Sequence, residues 1–288
     1  MRSGNPTLQH FEQPQRWDDL GNAGAIAEGA DMTGSESDRA APVAKQMTLN
    51  GTILATGTLL AVCAASAVAG FSIFEGWIAS GNLGRLWIAA IGGAIGSLVL
   101  GLIMNFKPRT AQFLGFPYAV LEGGFLAAIS LVLGARYLGM NEETGGVDPA
   151  LMGVIYQAIL LTFGIGAGLL IAYASGLVRL GNTAIKIVMV AGAGVMVYGI
   201  AVILLNGLLG MGVPNLFASA SPLGIGFSAV LVVLASVFLV LDFQLIDDSI
   251  KAGMPKHFEW YAGFSVLATL AWIYVEVLRL LLKLRSSD

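Results

Sequence analysis

The sequence predicts an all-α integral membrane protein, a polytopic bundle of about seven transmembrane helices that follows a short polar tail. Of its 288 residues, 56% are hydrophobic and only 11% are charged, whereas a soluble domain usually carries about 25% charged residues. A surface that faces hydrocarbon needs few charges, so this deficit favours a membrane location. The 38 glycines favour it as well, because membrane helices use glycine to bring their backbones close together.

The first 46 residues differ from the rest of the chain. They are polar and rich in Gly, Asp, Glu, Gln and Ser, and they contain no apolar run. A cleaved signal peptide needs an apolar segment, and a folded domain needs apolar residues to bury. The sequence therefore predicts a disordered N-terminal tail at residues 1–46 and a transmembrane domain at residues 47–288.

Seven apolar segments follow the tail, each near the roughly 20 residues that cross a bilayer as a helix. Counts of six or eight also fit the hydropathy. The predicted spans are residues 51–74, 86–106, 113–134, 151–173, 185–206, 223–243 and 260–282. From the second span onward, the breaks between them carry charged, Pro or Gly residues typical of loops, at 107–109, 141–146, 179–186, 212–215 and 251–257.

Glycines recur four residues apart within two of the spans. Gly92 and Gly96 lie in the second span, and Gly164 and Gly168 lie in the fourth. This spacing places each pair on one helix face, where small residues let two helix backbones approach closely. We therefore expect both pairs to mark helix–helix contacts.

Lysine and arginine in short loops indicate orientation, because cytoplasmic loops carry the excess. With a cytoplasmic N-terminus, the outer loops hold only Arg85 and Arg136. The inner side then holds Lys45, Lys107, Arg109, Arg179, Lys186, Lys251 and Lys256. We therefore predict a cytoplasmic N-terminus. Seven spans then place Arg279, Lys283 and Arg285 on the outer side, although the rule predicts positive charges on the cytoplasmic side. Either the last segment does not fully cross, or these charges have inward-facing partners.

The sequence lacks the residues that several classes of protein require. No basic patch interleaved with aromatic residues is present, so nucleic acid is not an expected partner. The single cysteine, Cys63, cannot form an intramolecular disulfide, and His10 and His257 are too few for a His/Cys metal centre. No span holds a histidine for a serine protease or a Gly-x-Gly-Asp motif for an aspartyl protease. Lys283 lies too near a helix end to bind retinal. We expect no enzymatic activity and no resident cofactor.

Ionisable residues inside the spans are the candidate functional residues, because they are costly in a membrane. They are Glu122, Asp242, Glu276 and Arg279. Glu122 lies near mid-membrane, where its carboxyl group must be paired, neutral or beside water.

Asp242 is predicted near the same membrane face as Lys107 and Arg109. A salt bridge to either residue would close a polar path, and protonation of Asp242 would open it. A helix cap or a purely structural salt bridge is the alternative interpretation of Asp242.

The last span carries a polar stripe. Spacings of 4, 3, 4, 3 and 4 residues place its members on one helix face, namely Ser265, Thr269, Trp272, Glu276, Arg279 and Lys283. Such a stripe should face the protein interior, toward polar groups or a water-filled path. The alternative is a set of polar contacts that only hold the bundle together.

The residues after the sixth span resemble the Bax inhibitor family. Asp242, Gln244 and Ile246 match its D-x-Q-x-I motif, and residues 259–281 are similar to its last helix. A bacterial branch of the family also shows the sequence pattern that this chain has at residues 118–123. The first residues of that branch are similar to residues 1–6 as well. The resemblance covers most of the chain from residue 47 onward and implies a bacterial inner (plasma) membrane location.

The resemblance implies a seven-helix fold in which six helices surround the last. It also implies a pH-sensitive calcium leak, gated by two aspartates and a basic residue. Asp242 matches one aspartate, and Lys107 or Arg109 falls near the basic position. Thr269, which cannot titrate, occupies the position of the second aspartate. Glu276 or Glu122 is the candidate replacement for it.

Three functions of different classes remain open at this point. The first is a cation leak, with Ca²⁺ favoured because carboxylates are hard oxygen ligands. Asp242, Glu276 and Glu122 would then make weak, transient calcium contacts rather than a tight cage. The second is a regulatory protein that binds a membrane protease or a stress-response complex in the bilayer. The third is a small-solute transporter, although no inverted repeat supports it.

Overall fold

The computed structural model describes residues 46–139 and 149–287, and these residues form seven α-helices. The predicted tail lies outside the described residues except for Gln46. The helices are α1 (Leu49–Ala79), α2 (Leu83–Phe106), α3 (Ala111–Tyr137), α4 (Pro149–Ala174), α5 (Asn182–Gly207), α6 (Pro222–Lys251) and α7 (Phe258–Ser287). Each is long and apolar enough to cross a membrane, which confirms the seven predicted spans.

Each helix extends beyond its predicted span at one or both ends, because the polar first and last turns remain helical. The helices contain 24 to 31 residues. At about 1.5 Å per residue they are about 36–46 Å long, more than the hydrocarbon core of about 30 Å. The largest difference is at α6, which was predicted to end at residue 243. It continues to Lys251, and the Ala252 amide closes its last turn on the Asp248 carbonyl.

The connections define two faces of the bundle. At the N-terminal face, the Met47 amide donates to the Met254 carbonyl (2.7 Å), which joins the start of α1 to the α6–α7 loop. The other connections on this face are the turn 107–110 and the loop 175–181. At the C-terminal face lie residues 80–82 and 208–221 and the end of α7.

The last helix is central, as the family resemblance implied. Helix α7 packs chiefly against α1, α3, α4 and α6, and 56% of its most apolar stretch is buried. Helix α3 shares this central position, with 61% buried, whereas α5 is 6% buried and packs on α6 at the edge. The six other helices therefore do not surround α7 equally.

Close helix contacts occur at different glycines from those expected. Gly96 packs against Leu121, as predicted, but a Cβ atom at Gly92, Gly164 or Gly168 would meet no atom within 4 Å. The expectation for Gly164 and Gly168 is therefore wrong, because no described residue packs closely against either glycine. Among the described glycines, the closest approach of two helix backbones is at Gly123 of α3, which lies directly against the backbone of α1.

Candidate functional site

The polar stripe of α7 faces α6 and the α5–α6 loop, as predicted from its spacing. The Ser265 hydroxyl donates to Asp242 Oδ1 on α6 (2.5 Å). Near the other end of the helix, the Lys283 ammonium donates to Ser228 Oγ on α6 (2.8 Å). Between them, the Trp272 ring packs on Phe238 at 5.5 Å between centroids. The stripe therefore faces the protein rather than lipid.

Asp242 is the centre of the candidate site. Its side chain is 8% exposed, and it lies nine residues before Lys251, the last residue of α6, a depth of about 14 Å along the helix. While Oδ1 accepts the Ser265 hydroxyl, Oδ2 is buried without a well-formed hydrogen bond from any described residue. Thr269, one turn after Ser265 and 9% exposed, faces the same carboxyl group.

This arrangement leaves one carboxylate oxygen available for a further partner. A buried carboxylate oxygen without a donor is unfavourable unless it binds a proton, water or a cation. The hydroxyl groups of Ser265 and Thr269 add two neutral oxygen atoms beside it. The site can therefore bind a proton directly, and it offers a passing cation a single carboxylate.

The basic residues predicted to pair with Asp242 lie elsewhere. Lys107 and Arg109 are exposed in the short turn between α2 and α3, and neither is within salt-bridge distance of Asp242. Arg109 instead lies near His257 on the α6–α7 loop. Partial burial, followed by the charge of Arg109, lowers the pKa of His257 below its usual value.

Glu122 belongs to a neighbouring polar cluster. It is 7% exposed and lies against the hydroxyl groups of Ser97 on α2 and Tyr118 on α3. The Tyr118 ring in turn packs edge-on against Phe264 of α7, 4.8 Å between centroids. Glu122 therefore shares no polar partner with Asp242 among the described residues.

Glu276 is paired with a cation on its own helix. Both of its carboxylate oxygens accept from Arg279 Nη1 at 2.7 Å, and the Glu276 side chain is 4% exposed. It lies seven residues after Thr269, about 10 Å further along α7. Arg279 also lies over the Phe217 ring at 5.4 Å. Glu276 is therefore held toward the C-terminal face, away from Asp242.

The three carboxylates proposed as weak calcium contacts thus remain apart. No group of three or more His, Cys, Asp or Glu side chains that could hold a metal ion occurs within the described part of the chain. A calcium ion at Asp242, Glu122 or Glu276 would meet a single carboxylate. Such sites bind weakly, which suits passage of an ion better than its retention.

Two functional contacts were missed by the sequence reasoning. Lys283, which the polar stripe predicts to face the interior, is fully buried, but its acceptors on α6 and the α5–α6 loop were not predicted. Glu259 is 3% exposed and accepts from both the amide and the hydroxyl of Thr48 (3.0 Å each), at the start of α1. The carboxylate thereby caps α1 from a different helix, which no local pattern indicates.

Two of the three C-terminal cations that violate the charge rule have inward-facing partners. Lys283 donates three hydrogen bonds inside the protein, and Arg279 pairs with Glu276. Of these three cations, only Arg285 is exposed. A full crossing by the last helix therefore adds only one solvated cation from α7 to the C-terminal face.

Seven membrane-crossing helices, with a polar stripe on the central one and a buried carboxyl group against it, define a multi-pass α-helical membrane protein. The family model for Bax inhibitor 1 like proteins matches residues 13–286. The chain therefore belongs to this family, as the D-x-Q-x-I motif indicated. Comparisons with curated proteins and with solved structures returned no match.

Proposed function

We propose that the protein is a pH-sensitive cation leak channel rather than an enzyme, that Ca²⁺ is its principal ion and that Asp242 is its titrating gate. The observation that carries the proposal is the buried Asp242 carboxyl group, which joins α6 to the central helix by one oxygen and whose other oxygen has no well-formed hydrogen bond from any described residue. Membership of the Bax inhibitor 1 like family supports the same function.

The gate follows from the strength of one hydrogen bond. When Asp242 is charged, the Ser265 hydroxyl donates to a carboxylate, and such a bond is about twice as strong as a neutral one. Protonation at Oδ2 removes the charge and weakens the contact between α6 and α7. The two helices can then separate along the polar stripe, which gives a cation a polar surface to follow.

We place the channel in the bacterial inner membrane with its N-terminus in the cytoplasm. The distribution of lysine and arginine in the short loops supports this orientation. Asp242 then lies in the cytoplasmic half of the bilayer. The pH that controls the gate is therefore the cytoplasmic pH, reached from the N-terminal face.

The proposal is tested by Ca²⁺ entry into dye-loaded liposomes that contain the purified protein, between about pH 5 and about pH 8. We expect entry to increase as the pH falls and to become independent of pH in Asp242→Asn. Glu122→Gln and Glu276→Gln are comparison variants, because each removes a buried carboxylate with separate partners. His257→Gln removes the titrating imidazole nearest the N-terminal face.

Two outcomes would contradict the proposal. An unchanged pH dependence in Asp242→Asn would exclude this carboxyl group as the gate. Loss of the pH dependence in Glu122→Gln or Glu276→Gln would instead identify the replaced glutamate as the gate. If the wild-type protein moves no Ca²⁺ at any pH, the channel function is refuted. Copurification of a stoichiometric membrane protein would then favour a regulatory role.

A further inference from the structure

The Lys283 side chain near the end of α7 is fully buried, at 0% exposed, and its ammonium group is fully hydrogen-bonded. Nζ donates to the Leu216 carbonyl (2.8 Å), the Gly224 carbonyl (2.9 Å) and Ser228 Oγ (2.8 Å). An ammonium group has three protons, so each proton has one acceptor. All three acceptors are neutral oxygen atoms.

Buried charges in proteins are usually paired with an opposite charge. The charged groups that act on Lys283 are Arg279 and Glu276, both on its own helix, and these two residues pair with each other. No described carboxylate lies within salt-bridge distance of Lys283. Among the described residues, the positive charge is therefore balanced only by carbonyl and hydroxyl dipoles.

The oxygen set resembles a binding site for a small cation. Backbone carbonyls replace the hydration shell of ions in channel filters, and backbone carbonyl oxygens also serve as ligands in calcium sites. Here two such carbonyls and one hydroxyl converge on a single positive centre at 2.8–2.9 Å. The lysine ammonium occupies the position that a monovalent cation would take.

The oxygen atoms are also held by contacts that do not involve Lys283. Ser221 caps α6, with its Oγ accepting the Gly224 amide (3.3 Å), and a Cβ at Gly224 would clash with the Ser219 carbonyl. The Leu216 amide donates to the Tyr198 hydroxyl (3.1 Å). Because these contacts fix the loop and the first turn of α6, the oxygen cradle should persist when the ammonium is removed.

We infer that the Lys283 ammonium is a tethered cation that occupies a built-in monovalent-cation site, formed by Leu216, Gly224 and Ser228 at the C-terminal face. One consequence of this inference rests on the proposed channel function. An ion that follows the polar stripe from Asp242 must approach this charge, and two cations in one low-dielectric site repel strongly. Lys283 thus partly blocks the C-terminal end of the path.

The site is tested first without any flux measurement, by thermal unfolding of Lys283→Ala in the chloride salts of potassium, methylammonium and choline. We expect potassium and methylammonium to raise the Tm of Lys283→Ala above its value in choline, whose quaternary nitrogen has no N–H donor and is too large for the cradle. The wild-type protein should show no such difference. Arg285→Ala is the matched control, because it removes an exposed cation two residues away.

If Lys283→Ala does not fold in choline, the yield of folded protein replaces the Tm as the measurement. Recovery with methylammonium or potassium but not with choline supports the site. Equal yields in all three salts, or no folded protein in any of them, overturn it. Equal Tm values in the three salts overturn it in the same way.

The blocking role is measured separately, as Ca²⁺ entry by Lys283→Ala at acidic pH, where the proposed Asp242 gate is open. We expect entry several-fold faster than for wild type, and added methylammonium should slow it again. If the Tm of Lys283→Ala depends on the cation but neither wild type nor the variant moves Ca²⁺, the cation site is supported and the channel is refuted. Flux in wild type without acceleration in Lys283→Ala retains the channel and refutes the block.

Discussion

Two adjacent glycines of α3 allow the packing of the central helices to be tested with a matched pair of variants. A Cβ at Gly123 would clash with the Cys63 carbonyl oxygen and lie 2.9 Å from the Ala67 amide nitrogen, both backbone atoms of α1. A Cβ at Gly124 would meet no atom within 4 Å. Backbone atoms cannot rotate away, so Gly123→Ala must separate α1 from α3.

The expected difference can be estimated because one contribution is common to both variants. Each replacement of Gly by Ala inside a helix favours the helix by about 1 kcal/mol. Overpacking a filled position costs about 1–3 kcal/mol. The shared gain cancels when the two variants are compared. Gly123→Ala should therefore be less stable than Gly124→Ala by about 1–3 kcal/mol, toward the upper end because two backbone atoms are involved.

The free energy of unfolding is measured for both variants by denaturant titration in the same detergent, with helix content as the signal. We expect Gly124→Ala to be at least as stable as wild type and Gly123→Ala to be clearly less stable. Equal stability of the two variants would refute the close contact between α1 and α3 on which the described bundle depends.

Three further changes test the candidate site and its supports. Thr269→Asp places a second carboxyl group opposite Asp242, so like-charge repulsion should move half-maximal Ca²⁺ entry to more alkaline pH, whereas Thr269→Asn should not. Glu259→Gln weakens the cap of α1 by about 1 kcal/mol, which hydrogen exchange should detect as faster exchange in its first turn only. Glu276→Gln leaves Arg279 without its carboxylate and should destabilise the protein by about 1–3 kcal/mol. Adding Arg279→Met to this variant should restore stability. A further loss of stability in the double variant would show that the pair is not coupled.

Much of the architecture could be predicted because it depends on features that are periodic in sequence. The seven spans follow from the length of apolar segments, and the interior-facing stripe follows from the spacing of polar residues in the last span. Both predictions agree with the structure. The buried position of Asp242 follows from the high cost of exposing a carboxylate to lipid.

Contacts between helices were predicted less well, because the partner of each face is set by tertiary packing. The spacing of Gly164 and Gly168 indicates a small-residue face but cannot show whether a helix lies against it, and in the described part of the chain no atom would lie within 4 Å of a Cβ at either position. Lys107 and Arg109 share a membrane face with the end of α6. Depth separates them from Asp242, which lies about 14 Å inside that end.

The Lys283 site could not be predicted from residue types. Two of its three acceptors are backbone carbonyls, which every residue carries and no motif marks. The loop that supplies the Leu216 carbonyl lies far from α7 in sequence. Only the folded arrangement of α6, α7 and the α5–α6 loop brings these atoms to one point.

The most direct test of the central claim is the ratio of initial Ca²⁺ entry rates at about pH 6 and about pH 8, measured for wild type and Asp242→Asn in liposomes of the same preparation. The proposed gate predicts a ratio well above one for wild type and a ratio near one for Asp242→Asn. Equal ratios in the two proteins, both above one, would contradict Asp242 as the gate.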